Sequence, residues 1–297
     1  MKRILFAAVL FARTQVLMGD VPVSLTIKAP ESKKIAAFTA MEEAFDRARE
    51  IEGEVSEFRP NSQTSRLNRN AGGEWMPIGE HLTRILELSF RISDLTNGAF
   101  DVTFASPDKA VTFRDIELRG DKSPHPPFFK GGNKSVTPLS QRGGGGDFYA
   151  RLSKRGTNIS VSGIAKGYIV DQMADSLKKA GFKKFLINAG GEILARGRWK
   201  VSIRDPENPD GEPVLNLKIK NRAVSTSGLY ERGHHIFDAN TKKPVERSGS
   251  VTVIAKNSSL ADAWDTAAFI MGKEKIEAIR NKIPDIEFIF IENGQIN

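Results

Sequence analysis

An α+β domain built on mainly antiparallel sheets with packed helices is the fold this sequence predicts. Three observations carry it. Apolar residues alternate over short runs, they recur at three and four over longer ones, and the strand candidates come in runs instead of alternating strictly with helices. At 297 residues, 39% hydrophobic and 27% charged, the chain has an ordinary globular composition. No internal repeat of roughly 20–50 residues is visible.

Val21, Val23, Leu25 and Ile27 alternate, which predicts a half-buried strand over 21–28. Ser32 is placed to cap a helix in which Phe38, Met41, Phe45, Ala48 and Ile51 share one face. Leu82, Ile85, Leu86, Ser89, Ile92 and Leu95 form a second amphipathic helix, stopped by Asn97-Gly98. A third helix runs from about 164 to 180, with Gly181 just past its end. Strands are expected at 110–114, 148–153, 157–161, 184–188, 199–203, 214–219, 250–255 and 286–291. Two short helices, near 259–271 and 273–282, precede the last of them.

Met1-Lys2-Arg3 followed by the apolar run 4–12 makes residues 1–17 signal-like, with a domain expected over 18–297. The run is short and no A-x-A site closes it, so a buried first strand fits it as well. Residues 119–148 read as a low-complexity insertion, with seven Gly, four Pro and no periodicity. Its run Gly143–Gly146 lacks the Lys-Ser/Thr and helix start of a P-loop.

The net charge is +8. From Arg119 to Arg155 there are eight basic and two acidic residues, so this one segment holds +6 of it. That distribution argues against a nucleic-acid-binding face. With no cysteine, disulfides, thiolate-held metals, a thiol nucleophile and a Cys-borne lipid anchor are all excluded.

Four clusters are polar beyond the needs of a scaffold. In 160–168, "SVSGIAKGY", a strand gives way to a helix. This is either a tight glycine turn or an anion site at a helix N terminus, with Lys166 adding a cation. In 188–192, "NAGGE", a β-turn is the default, and no dinucleotide fingerprint is present. "STSG" at 225–228 precedes "GHHIFD" at 233–238, where the His pair is either a surface feature or a general base. In 261–266, "ADAWDT", Asp262 and Thr266 share a helix face that Asp265 flanks. Those oxygens suit a hard cation such as Mg2+, although acids near a helix start also need no ligand.

Taken in order, "VLMGD", "VSEFRPNSQTSRLN", "TNGAFDVTFASP", "SGIAKGYIVD", "INAGGEI", "AVSTSGLY", "HHIFD" and "SLADAWDTAAFIMG" resemble the ApbE family, the FAD:protein FMN transferases. The resemblance covers nearly the whole chain apart from the insertion. It implies a single domain with FAD in a cleft. It also implies Mg2+-dependent transfer of FMN from FAD to a threonine hydroxyl of a target protein, releasing AMP. Carried over by position, the metal falls to Gly163, Asp262, Asp265 and Thr266. FAD contacts fall to Met18, Phe58, Ala99, Phe100, Asp101, Ser160, Lys166 and Val245, and catalysis to His235 with Asp238 beside it. The family expectation for the target is a membrane electron-transfer subunit, and for location the periplasm or a membrane surface. The sequence departs from the family pattern at Asp20, Ser160, Ser162, Ala239 and Lys242. A Mg2+-dependent FAD pyrophosphatase and a non-catalytic FAD-binding protein are the alternatives.

Overall fold

The computed structural model describes residues 8–120, 147–229, 236–292 and 294–296. Among the described residues, fifteen strands and six α-helices follow one another. The N-terminal part comprises β1 (Ala8–Leu17), β2 (Val21–Pro30), α1 (Lys34–Val55), α2 (Gln63–Arg69), β3 (Met76–Ile78) and α3 (Glu80–Leu95). Next come β4 (Ile116–Gly120), β5 (Phe148–Leu152), α4 (Ser162–Lys179), β6 (Phe185–Ala189), β7 (Glu192–Arg196), β8 (Arg198–Ile203), β9 (Leu215–Lys220) and β10 (Ala223–Gly228). The chain continues with β11 (Phe237–Asp238), β12 (Lys243–Pro244), β13 (Ser250–Ala255), α5 (Ser258–Met271), α6 (Lys273–Ala278), β14 (Glu287–Glu292) and β15 (Gln295–Ile296).

An eight-stranded sheet in the order β1-β2-β6-β7-β10-β13-β14-β15 spans the molecule, and every pairing is antiparallel. Helices α1, α4 and α5 pack on one face and bury the main core, including Phe45, Phe185, Trp264 and Phe269. The β8–β9 ribbon covers part of the other face through a smaller cluster of Ala195, Val201, Ile219, Val224 and Ile254. A three-stranded sheet, β3-β5-β4, stands apart from the large one.

The alternation at 21–29 does what it predicts, since Val21, Val23, Leu25, Ile27 and Ala29 are all buried. Asn97 and Gly98 adopt φ +50° and +80° and end α3, and Gly181 at φ +87° ends α4. Of the signal-like stretch, residues 8–17 form β1 in continuous register with β2, and residues 1–7 lie outside the described residues. Residues 121–146 of the insertion also lie outside them, while Arg119, Gly120 and Phe148 belong to β4 and β5 and pair across the gap.

Three local expectations are corrected. Ser32 does not cap α1. Glu31–Lys33 make a short 3-10 turn after Pro30, and no side chain caps the α-helix. Residues 110–114 are not a strand, because side chains claim their backbone. Thr112 and Asp115 form a reciprocal capping box, and Asp101 Oδ2 accepts the Phe113 amide at 2.8 Å. Residues 157–161 are not a strand either. The Ile159 N–H donates to Asn68 Oδ1 at 2.7 Å, and Asn68 Nδ2 donates back to the Ile159 carbonyl at 2.8 Å. The Ser160 N–H donates to the Val102 carbonyl at 2.8 Å.

Candidate active site

Helices α4 and α5 touch at Gly167. A Cβ there would stand 2.4 Å from the Ser258 carbonyl oxygen and 2.7 Å from Asp262 Cβ, so only glycine permits the approach. The contact is tied by the Gly167 N–H, which donates to Asp262 Oδ2 at 2.7 Å. Asp171 of α4 in turn accepts the Ser258 and Ser259 amides and so caps α5. The sheet supplies the third side. Gly190 and Gly191, at φ +59° and +101°, make a two-residue turn that only residues tolerant of positive φ can form. The turn delivers Glu192, the first residue of β7, beneath the two helices.

Glu192, Asp262 and Asp265 are thereby gathered with carboxylate oxygens within 4.8 Å of one another. They are 3%, 4% and 1% exposed. The Lys166 ammonium lies 2.5 Å from Glu192 Oε1. Ser225 Oγ donates to Glu192 Oε1 at 3.3 Å, and Ser227 Oγ donates to Asp265 Oδ1 at 3.0 Å. Glu192 Oε2 and Asp265 Oδ2 are buried without a hydrogen-bond donor. Burial pushes the Glu192 carboxyl up to about 7 despite the pull of Lys166. Burial, followed by the charges of Asp262 and Glu192, holds the Asp265 carboxyl well above its usual value. Burial alone would lower the Lys166 ammonium, but Glu192, Asp262 and Asp265 outweigh it and hold it above the usual lysine value.

Three buried carboxylates facing one ammonium leave two orphaned oxygens and an excess of negative charge. A hard cation would answer both, and Thr266 and Gly163 bring further oxygens to the same place. A Cβ built on Gly163 would stand 3.8 Å from Thr266 Oγ1, which shows how closely the start of α4 and this turn of α5 approach.

Two clefts meet here. The narrower, of about 150 Å³, is lined by Phe100, Gly163, Lys166, Glu192, Asp262 and Thr266 among others. It has room for an ion and phosphate oxygens. The broader, of about 850 Å³, runs between the β1–β2 turn and the loop after α1, past Met18, Glu52, Phe58 and Arg59. That volume falls in the range of small-molecule pockets, ~300–1,000 Å³. Ser162 and Lys166 line both clefts, so the N terminus of α4 forms their junction.

The expected site residues divide accordingly. Asp262, Asp265, Thr266, Gly163, Lys166, Ser160 and Phe100 come together around the narrow cleft. Met18 and Phe58 line the broad one. Asp101 lines the narrow cleft, yet both of its oxygens are engaged by Thr103 and Phe113, so it braces a loop. Ser160 donates to Glu57 Oε1 and pairs with Ser162 Oγ at 2.9 Å. Ala99 is buried, and Val245 packs on the core with its N–H donating to the Ile236 carbonyl; neither lines the narrow or the broad cleft. Asp238 does not line either of these two clefts, and its Oδ1 accepts the Asn240 and Thr241 amides and closes a turn. His235 lies outside the described residues.

Glu192 and Glu52 were given no role by sequence reasoning, though each left a signal. Glu192 alternates with buried Leu194, so it had to face inward. Glu52 continues the apolar stripe Met41, Phe45, Ala48, Val55 of α1, where a carboxylate is out of place.

The ApbE family model matches residues 19–290. A FAD:protein FMN transferase of Treponema pallidum is 27% identical over 313 residues, covering 95% of this chain and 84% of that protein. One of Vibrio cholerae is 28% identical over 298 residues, covering 90% and 85%. Among solved structures, the flavin transferase ApbE from Vibrio cholerae superposes with a TM-score of 0.72 at 20% identity, covering 98% of this chain and 96% of that one. The ApbE protein of Thermotoga maritima gives 0.78 at 22% identity, covering 97% and 96%. At such identities the structural likeness speaks for the fold, one domain of helices on antiparallel sheet.

Proposed function

The chain belongs to the ApbE family, and from that premise we propose that it transfers FMN from FAD to a threonine hydroxyl of a target protein, with Mg2+ bound and AMP released. The observation that carries the reading is the trio Glu192, Asp262 and Asp265 at the narrow cleft, with Lys166 lining both clefts. Curated relatives bearing the name FAD:protein FMN transferase support the flavin chemistry.

In this reading the broad cleft takes a ring system of FAD beside Phe58, and the pyrophosphate lies at the start of α4. The helix dipole favours its negative charge there, and Lys166 supplies a cation. Asp262, Asp265, Thr266 and the Gly163 carbonyl would hold Mg2+, whose contribution is to neutralise charge on the pyrophosphate oxygens. The threonine oxygen attacks the FMN phosphorus. The new O–P bond forms as the bond to the bridging oxygen breaks, and AMP leaves with that oxygen. The hydroxyl proton is assigned to His235 as general base. Ser227 and Thr266 donate to Asp265 Oδ1 and fix the orientation of that carboxylate. The proposed target is a membrane electron-transfer subunit, and the proposed location is the periplasm or a membrane surface. No helix among the described residues is long and apolar enough to cross a membrane.

The test is incubation with FAD, MgCl2 and a threonine-bearing acceptor domain, read by in-gel flavin fluorescence and by chromatography of AMP. A fluorescent acceptor band with one AMP per flavin attached, lost on adding EDTA, is the expected result. AMP and free FMN without a labelled acceptor would favour the pyrophosphatase. FAD binding without AMP would leave a flavin carrier.

A further inference from the structure

We infer that Glu52 is a positioning residue that sets the distance between the two rims of the broad cleft, and through them the affinity for FAD. This rests on reading that cleft as an FAD site. Glu52 is 7% exposed and sits on the core face of α1. Its two oxygens serve different segments. Oε2 accepts the Met18 N–H at 3.3 Å, while Oε1 accepts Arg59 Nη2 at 3.0 Å and Nε at 3.3 Å.

Met18 and Gly19 form the β1–β2 turn, at φ +51° and +87°. A non-glycine residue in the left-handed region needs its surroundings to hold it, and the Glu52 carboxylate takes the amide at that point. Arg59 belongs to the opposite rim, one residue after Phe58, which is 82% exposed. Few contacts hold that ring, so its place depends on its backbone. That backbone is tied through Arg59 to Glu52 and through Glu57 to Ser160 at the start of α4. A single carboxylate thus joins the β1–β2 turn to the loop bearing Phe58.

Stability does not account for a carboxylate here. The position continues an apolar stripe, and a buried ion pair is often no better than well-packed hydrophobic residues. What a carboxylate adds is two acceptor oxygens aimed at two rims. Losing them leaves the core filled and the rims free to drift.

The experiment uses the full chain with Glu52→Met, which keeps the packing, and Glu52→Gln, which keeps the shape, each with and without Phe58→Ala. FAD affinity is read by quenching of flavin fluorescence and by KM, alongside kcat and thermal melts. Both Glu52 variants are expected to weaken FAD binding about 10-fold, the scale of a lost hydrogen bond to a charged group. Their kcat should stay within about 2-fold, and Glu52→Met should melt no lower than the unaltered protein. Combined with Phe58→Ala the losses should be less than additive, because Glu52 acts through the rim that carries the ring. FAD binding by both Glu52 variants within about 2-fold of the unaltered protein overturns the inference, as does full additivity with Phe58→Ala. In those cases the FAD reading survives on the unaltered protein's own binding. No FAD binding by the unaltered protein removes both.

Discussion

The two clefts that meet at the start of α4 differ in what carries their prominent groups. The charged groups of the narrow one all stand on regular elements and are buried close together: Glu192 from β7, Asp262 and Asp265 from α5, Lys166 from α4. The broad one has a floor from α1 and α4, but its two rims are a turn and a loop, and its prominent ring, Phe58, stands in the open. Reacting groups must hold position to a fraction of an ångström, and packed helices and strands provide that. A ring platform needs only to offer a face, and a loop tied at a few points can do so.

The difference is broken most severely from the narrow side. Asp262→Asn removes a charge from the trio and disturbs the bond to the Gly167 amide. Turnover at limiting Mg2+ should fall by at least ~10²-fold, as when one preorganised electrostatic group is lost. FAD affinity should fall only a few-fold, and unchanged AMP release would remove α5 from the site. Gly167→Ala tests the same cleft through packing. The added carbon meets backbone at 2.4 Å, which one rotamer change cannot relieve. Unfolding in urea should show a loss of about 1–3 kcal/mol, and a midpoint equal to the parent's would mean that α4 and α5 can part freely.

The broad cleft should respond in binding alone. Phe58→Ala should raise the FAD dissociation constant by up to about 10-fold, the worth of one aromatic stacking contact. With the ring so exposed, the melting temperature should stay put, and a large drop would show that Phe58 is a core residue. The smallest effect is expected from His81, which braces α4 behind both clefts. Its Nδ1 meets the Tyr168 hydroxyl at 2.8 Å, and Arg47 donates to Nε2 at 2.6 Å, which needs a neutral ring. Burial, then the Arg47 charge, lowers its value below 6.5. A folded-state value below the unfolded one contributes stability that is present above 6.5 and lost as pH falls through the folded value. The His81 share of stability should therefore fall from pH 7.5 to 5.5, against the gain that the raised carboxyls of Glu192 and Asp265 bring over the same range. It is read as the difference in melting temperature between the unaltered protein and His81→Gln at the two pH values. His81→Gln should remove that share, and identical profiles would discount the ring.

Periodicity made the large elements legible, and the motif order made the narrow cleft legible. The alternation of Val21–Ile27, the stripes of α1 and α3 and the end of α4 at Gly181 are local signals, readable one segment at a time. The strands expected at 110–114 and 157–161 failed for the converse reason. Their backbones bond to Asp101, Asn68 and Val102, which lie 12 or more residues away in the chain for Asp101 and Phe113 and 91 for Asn68 and Ile159. Asp238 was legible as a carboxylate next to a His pair, but no local pattern could say that the Asn240 and Thr241 amides would share its Oδ1. Glu52 and Glu192 were hidden in a different way. Each looks like an ordinary surface acid until the faces of α1 and β7 are assigned.

Glu192 pairs opposite Ala189 across the Gly190-Gly191 turn, and side chains alternate from there along β7. Glu192 and Leu194 face the helices, while Ile193 and Ala195 face the β8–β9 ribbon. The length of this segment is therefore more constrained than its spelling. One residue gained or lost between the turn and Leu194 would carry the carboxylate through the sheet, to lie against Trp199 and Val201. A lineage can exchange side chains here one at a time, but a single-codon insertion or deletion would take the carboxylate out of the site in one step.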